Sequence, residues 1–111
     1  MERFLSYVTK LTTAAAWFTI QTPKLKGNIP VEITLINAHS RIESGYIYHE
    51  LKLLTGSSEL TLKDGVYTTI TQGLHLQTPF ILMPSECIIH NSFSDVATTI
   101  NLLVIGHYLN D

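Results

Sequence analysis

The chain has 111 residues, which is enough for one compact domain and too few for a second hydrophobic core. Its composition is 45% hydrophobic and only 14% charged, which excludes an intrinsically disordered chain. Seven basic and nine acidic side chains give a net charge of −2, so the overall charge does not favour nucleic acid as a partner.

β-Branched residues are abundant, with 12 Ile, 5 Val and 14 Thr in the chain. Their side chains are stiff about χ1 and fit a pleated strand better than a helix. Nowhere are apolar positions at helical spacing sustained over three turns. We therefore predict an all-β protein.

The charges are unevenly distributed along the chain. Residues 1–30 carry a net charge of +3, whereas residues 31–111 carry −5. We interpret this as a single domain with a basic N-terminal segment or arm, 1–30, which could include the first strands, and an acidic β-sandwich body, 31–111. The uneven charge could orient the subunit on a neighbour of opposite charge, although scattered solvated charges would give the same pattern.

Cellular context is indicated by the N-terminus and by the cysteine content. Lys10 interrupts the apolar stretch that follows Arg3, and residues 14–20 are far short of the roughly 20 apolar residues of a bilayer span. Cys87 is the only cysteine, so no intrachain disulfide can form, and we expect it to be a small buried side chain. We expect no signal peptide, no membrane contact and assembly in the cytoplasm.

Turn residues divide the chain into short segments at intervals typical of a sandwich or barrel. Two neighbouring segments could form one bent strand, so we predict about eight strands. The segments are Phe4–Thr12, Ala15–Thr22, Val31–Asn37, Tyr46–Leu54, Glu59–Lys63, Val66–Thr71, Leu74–Met83, Glu86–Asn91 and Thr98–Leu109.

Alternation of apolar and polar residues predicts which face of each strand is buried. In the segment that starts at Val31, the side chains of Val31, Ile33 and Leu35 are expected on one face. In the next segment, one face carries Ile47, His49, Leu51 and Leu53, and the other carries Tyr46, Tyr48, Glu50 and Lys52. The second of these faces is partly aromatic and could meet a partner or cover a sheet edge.

The dipeptide Asp64-Gly65 is the strongest turn signal in the chain, because a two-residue type I′ turn needs positive φ at both positions. We predict a β-hairpin there. The alternative is a bulge at Gly65, where a strand switches sheets.

The C-terminal run from Thr99 to Leu109 is apolar on both faces at its centre. This pattern predicts a central strand whose two faces are both covered. One face would belong to the core. The other would be covered by a second layer, another segment or another subunit, because monomers rarely expose a large apolar patch.

No motif for metal binding is present. The five histidines are His39, His49, His75, His90 and His107. No two are spaced as paired ligands, and Glu50 directly follows His49 without the second nearby histidine expected of a cupin. We expect no metal and no cofactor, although histidines from separate strands could converge in space.

Motifs for catalysis are also lacking. The sequence has no Gly-x-Ser-x-Gly elbow, no phosphate-binding glycine loop and no dinucleotide fingerprint. Its carboxylates fall mostly at strand ends or beside turns. We expect a protein that is not an enzyme.

Three segments of the C-terminal half share a recognisable rhythm: residues 62–68 with Gly65-Val66-Tyr67, residues 80–89 with the Pro84 turn, and residues 100–109 with Gly106-His107-Tyr108. Residues 60–109 thereby resemble small jelly-roll virion proteins, a rhythm shared with tumour-necrosis-factor-like ligands and lectins. The resemblance implies an antiparallel β-sandwich of jelly-roll type and a capsid cement, decoration or other minor shell subunit, located in the virion. It also implies homotrimers or homopentamers that bind the major capsid protein or other virion proteins.

Association also follows from size, because a sandwich of this length without disulfides buries only about two-thirds of its chain surface. The interface residues we predict are Trp17, Phe18, Tyr46, Tyr48, His107 and Tyr108. Each also has an ordinary explanation as a core or surface side chain. The alternative function is a glycan-binding β-sandwich module, in which aromatic and amide side chains would line a shallow groove.

Overall fold

The computed structural model describes residues 2–41, 44–68 and 73–109, and these residues form nine β-strands. The strands are β1 (Arg3–Leu11), β2 (Ala16–Gln21), β3 (Val31–Ser40), β4 (Ile47–Thr55), β5 (Ser58–Tyr67), β6 (Gly73–Leu76), β7 (Phe80–Leu82), β8 (Cys87–Ser94) and β9 (Thr99–Tyr108). Within these described ranges, no helix is long and apolar enough to cross a membrane. The prediction of an all-β protein is confirmed.

Two antiparallel sheets make up the fold. The first sheet has the strand order β1-β9-β3-β6, with β7 also paired to β3, and the second has the order β2-β8-β4-β5. The strands pair as the two arms of one long hairpin that is rolled into two layers. The pairs are β1 with β9, β2 with β8, β3 with β6 and β7, and β4 with β5. This is a jelly-roll β-sandwich, as predicted.

The core lies between the sheets and is filled by the inward residues of alternating strands. The fully buried side chains include Ile36, Leu51, Leu74, Ile88 and Leu102, which come from five strands and both sheets. The predicted faces of the segment around β4 are confirmed, because Ile47, His49 and Leu51 are buried. Cys87 is also buried, and desolvation raises the pKa of its thiol.

The predicted alternation in β3 is wrong beyond Ile33. A β-bulge shifts the pairing register between Ile33 and Leu35, so Ile36 takes the inward position and Leu35 points outward. The bulge lies where β3 passes Gly106 of β9. A Cβ at Gly106 would lie 2.2 Å from the carbonyl oxygen of Glu32, so only glycine allows this close approach.

The predicted hairpin at Asp64-Gly65 is also wrong, and so is a sheet switch at Gly65. β5 continues through both residues, with Asp64 opposite Glu50 and Gly65 opposite His49 in the second sheet. Gly65 instead leaves room for the ring of Tyr67, whose hydroxyl would be 2.8 Å from a Cβ. The hairpin between β4 and β5 turns at Gly56, whose φ is +61°.

Two other segments are divided differently from the prediction. The segment Leu74–Met83 is divided into β6 and β7, with Pro79 in the break. The segment Val66–Thr71 continues β5 as far as Tyr67, and its last three residues lie outside the described residues.

The last strand lies inside its sheet, whereas the two strands of the basic segment lie at sheet edges. β9 lies between β1 and β3, so the prediction of a central C-terminal strand is confirmed. The basic segment supplies β1, which pairs with β9 along its whole length, and β2, which pairs with β8. Outward residues of β9 such as Leu103 and Ile105 are half-buried between the neighbouring strands.

Candidate interaction surfaces

The outer face of the second sheet carries an aromatic row. Trp17 of β2 lies opposite Phe93 of β8, which lies opposite Tyr48 of β4, which lies opposite Val66 of β5. Residues directly opposite on antiparallel strands share a face with their Cβ atoms about 5 Å apart. These four residues, together with the adjoining Tyr46, form what we call the aromatic row.

The rings of the aromatic row contact one another. The ring centroid of Trp17 lies 5.5 Å from that of Phe93 and 5.7 Å from that of Tyr48, the latter in an edge-to-face geometry. Tyr46 stacks on Phe93 at 6.3 Å. Trp17 nevertheless remains 59% exposed and Val66 61% exposed. A large aromatic surface is therefore held in place by ring contacts and remains open to solvent.

A polar row lies directly beside the aromatic row. Two residues further along each strand, Thr19, Asn91, Glu50 and Asp64 are opposite one another in the same order. Because side chains alternate along a strand, these four share the outer face with the aromatic row.

Hydrogen bonds join the two rows. Thr19 donates to Asn91 Oδ1 at 2.7 Å, and Asn91 Nδ2 donates to Glu50 Oε1 at 3.2 Å. The Tyr48 hydroxyl lies 3.1 Å from Glu50 Oε2 and 3.3 Å from Asp64 Oδ2, and its one proton is donated to one of these two oxygens at a time. Desolvation, followed by the hydrogen bond to Glu50, raises the pKa of Tyr48 to about 12. Tyr48 is therefore a protonated donor at neutral pH.

The outer face of the first sheet carries an apolar patch. Leu5 lies opposite Ile105, which lies opposite Leu35, and in the next row Tyr7 lies opposite Leu103. Leu5 is 53% exposed and Tyr7 is 58% exposed. We call these five residues the apolar patch. Leu35 belongs to it only because the bulge in β3 turns this residue outward.

Polar groups border the apolar patch at both ends. At one end, His107 Nε2 lies 3.2 Å from Glu32 Oε1. At the other end, Asn101 Oδ1 accepts hydrogen bonds from Thr9 at 2.9 Å and from the Tyr7 hydroxyl at 3.1 Å. An apolar centre with a polar rim is the ordinary arrangement of a protein interface.

Two histidines from different strands lie side by side in the interior, a convergence that sequence analysis left open. His49 Nδ1 lies 2.8 Å from His90 Nε2, and the Ser92 hydroxyl oxygen lies 3.0 Å from the first nitrogen and 2.8 Å from the second. Ser40 of the opposite sheet lies 3.4 Å from His49 Nε2. His49 Nδ1 and His90 Nε2 are therefore at hydrogen-bonding distance from each other. Among the described residues, no three His, Cys, Asp or Glu side chains converge as metal ligands.

The six predicted interface residues fall in three places. Trp17, Tyr46 and Tyr48 come together in the aromatic row, and His107 lies beside the apolar patch on the other sheet. Phe18 packs against the core. Tyr108 is only 6% exposed, and its hydroxyl accepts a hydrogen bond from the Lys26 backbone at 3.0 Å.

Phe93 is the central residue of the aromatic row, and sequence reasoning missed it. Its neighbours in the run from Asn91 to Asp95 are polar, which is typical of a turn, whereas β8 extends to Ser94. Ser92 and Ser94 face inward because each finds hydrogen-bond partners there. The alternation of Ser92, Phe93 and Ser94 was the available signal for a strand. Here the polar residues face inward and the apolar residue faces outward, which reverses the usual pattern.

Comparison with known proteins gives little similarity. No family model matches the chain, and no curated protein matches it. Among solved structures, a chain described as "Structure of infectious bursal disease virus Gx strain" is similar over 97% of this chain, with 8% sequence identity and a TM-score of 0.30. The matched region covers 33% of that chain, so this chain spans about a third of its length. A TM-score of 0.30 is too low to carry a functional argument.

Proposed function

We propose that this protein is a structural subunit of a virion, a capsid cement or decoration protein that associates with itself and binds the capsid surface. The observation that carries the proposal is the apolar patch on the outer face of the first sheet. The proposal assigns the chain no catalytic role, no cofactor and no metal, and neither nucleic acid nor membrane as a partner.

The apolar patch is suited to a contact between subunits. It spans three hydrogen-bonded strands at the row Leu5–Ile105–Leu35, with β9 in the middle. Burying apolar surface stabilises association by about 25 cal/mol per Å². Side chains held on hydrogen-bonded strands also need little rearrangement on binding, which keeps the entropic cost low. Contact between copies would thus bury apolar surface that a single subunit exposes to solvent.

Placement in a virion rests on two supports. Residues 60–109 resemble small jelly-roll virion proteins, and the strand order is that of a jelly roll. The expected partners are two or four further copies around a symmetry axis, together with the major capsid protein or other virion proteins. Assembly would take place in the host cytoplasm.

Size-exclusion chromatography with light scattering tests the proposal. Purified protein at micromolar concentration should have three or five times the 12.4 kDa mass of one chain. A mass of 12.4 kDa at every concentration up to about 100 μM would exclude the proposed self-association, because specific interfaces form well below that concentration.

A further inference from the structure

We infer that the outer face of the second sheet is a binding platform for a neutral oligosaccharide, built from the aromatic row and the adjoining polar row. An aromatic surface directly beside a row of hydrogen-bonding groups matches the two kinds of surface on a sugar. A pyranose ring has an apolar C–H face and a rim of hydroxyl groups. A site for such a ring needs apolar or aromatic surface beside a few fixed polar groups.

The aromatic row supplies the apolar half of the platform. Trp17 is 59% exposed and is flanked by Phe93 and Tyr48, whose ring contacts hold it against the sheet. Aromatic rings offer a large contact area with few rotatable bonds, so little conformational entropy is lost when a sugar packs on them.

The polar row supplies the hydrogen-bonding half. Glu50 Oε1 already accepts a hydrogen bond from Asn91, and Glu50 Oε2 and Asp64 Oδ2 share the one proton of the Tyr48 hydroxyl. A carboxylate has about four lone-pair sites and an amide nitrogen two protons, so both acids and Asn91 retain capacity for further bonds. The existing bonds fix the side chains in advance, which is what recognition of a flexible ligand requires.

The charge of the polar row indicates which saccharides fit. Glu50 and Asp64 face the ligand as acceptors, and the two cations beside the row are both engaged: Lys52 lies 3.5 Å from Glu50 and 3.3 Å from Glu59, and Lys10 donates to the Thr19 carbonyl oxygen at 3.3 Å. Hydroxyl groups donate well to carboxylates. The carboxylate of a sialic acid or a sulfate group would instead be repelled. The platform therefore favours neutral hexose and N-acetylhexosamine oligosaccharides.

The saccharide platform and the apolar patch lie on opposite faces of the sandwich. The inference thus goes beyond the proposed self-association, and the two can fail separately. A protein that oligomerises without retaining saccharides would retain the proposed function and lose this inference.

The first experiment is an array of immobilised neutral oligosaccharides with their sialylated counterparts, probed with the full chain. We expect retention on a subset of neutral glycans and weaker or no retention on the sialylated forms. The best-retained neutral oligosaccharide, in free form, is then titrated while tryptophan fluorescence is recorded. Trp17 is the only tryptophan, so a saturable change reports binding at this face directly.

Variants locate the site by isothermal titration calorimetry with the same free oligosaccharide. Trp17→Ala should weaken binding by about tenfold or more, and Asp64→Asn should weaken it by about three- to tenfold. Leu11→Ala, at an exposed position of β1 in the first sheet, is the control and should bind like the unmodified chain. Circular dichroism checks that each variant is folded.

Several results would overturn the inference. These are no retention on any array saccharide, preference for sialylated glycans, or full affinity in folded Trp17→Ala. A fluorescence change that depends on protein concentration alone would place a protein contact over Trp17, and this too would overturn it.

Discussion

His49 and His90 form a pair of fully buried imidazoles, and burial favours the neutral state of both. Desolvation lowers the pKa of His49 to about 4, and desolvation together with the neighbouring His49 lowers that of His90 to about 3. One proton suffices for the hydrogen bond between the rings. Two protonated rings would direct N–H donors at each other 2.8 Å apart. His39 of β3 adds to the repulsion, and the Tyr67 ring lies 5.9 Å from His49.

We predict that the free energy of unfolding falls as the pH is lowered from 6.5 towards 3. Well above pH 6.5 both rings are neutral in the folded and the unfolded chain, so there they make no contribution to the pH dependence. As the pH falls, the unfolded chain binds protons at the ordinary pKa of about 6.5, whereas the folded chain binds them only near pH 4 and below. The loss is on the order of a few kcal/mol for each ring. Urea unfolding at steps of one pH unit measures it.

His90→Gln isolates this contribution from that of the carboxylates. The variant should be less stable at pH 7 but should lose less stability between pH 6.5 and 4 than the unmodified chain. His75→Gln, at an exposed position, should leave the pH slope unchanged. If the free energy of unfolding of His90→Gln depends on pH as steeply as that of the unmodified chain, the buried pair does not titrate as described.

At the scale of strands, the bulge in β3 and Gly106 in β9 act together, because they lie opposite each other in the sheet. The bulge exchanges the faces of Leu35 and Ile36, which fills the core with Ile36 and adds Leu35 to the apolar patch. Gly106 permits the close approach of Glu32 at this point. One local irregularity therefore shapes both the core and the outer surface.

Gly106→Ala should destabilise the fold by about 2–3 kcal/mol, because the added methyl group would meet backbone that cannot rotate away. Gly65→Ala is the matched comparison, because there the methyl group would meet the end of the Tyr67 side chain. It should cost about 1 kcal/mol or less. Urea unfolding compares the two. Equal costs would mean that the strands adjust at Gly106 as easily as a side chain does at Gly65.

The strands show how far local sequence determines this fold. Strand content, the faces of β4 and the central position of β9 follow from alternation and β-branched content. The course of β5 through Asp64-Gly65 does not, because a partner strand can override a turn preference. The outward turn of Leu35 and the extension of β8 to Phe93 depend on contacts with Gly106 and with buried serines and histidines, which are distant in the chain. The aromatic row was accordingly predicted only in part.

At the scale of the whole molecule, the sandwich presents two different outer faces. The first sheet exposes the apolar patch, and the second exposes the aromatic and polar rows. We attribute contact between copies to the first face and ligand binding to the second. A β-sandwich can carry both because side chains on its outer faces vary without disturbing the core between the sheets.

Association of copies of this chain through the apolar patch is tested most directly by sedimentation velocity at micromolar concentration. The unmodified chain should sediment as a trimer or pentamer, and Ile105→Lys, which places a charge at the centre of the patch, should sediment as a folded 12.4 kDa monomer. Leu60→Lys, at an exposed position of β5 in the second sheet, should leave the oligomer intact. An unmodified chain that sediments as a monomer, or an oligomer that Ile105→Lys leaves unchanged, would contradict the claim.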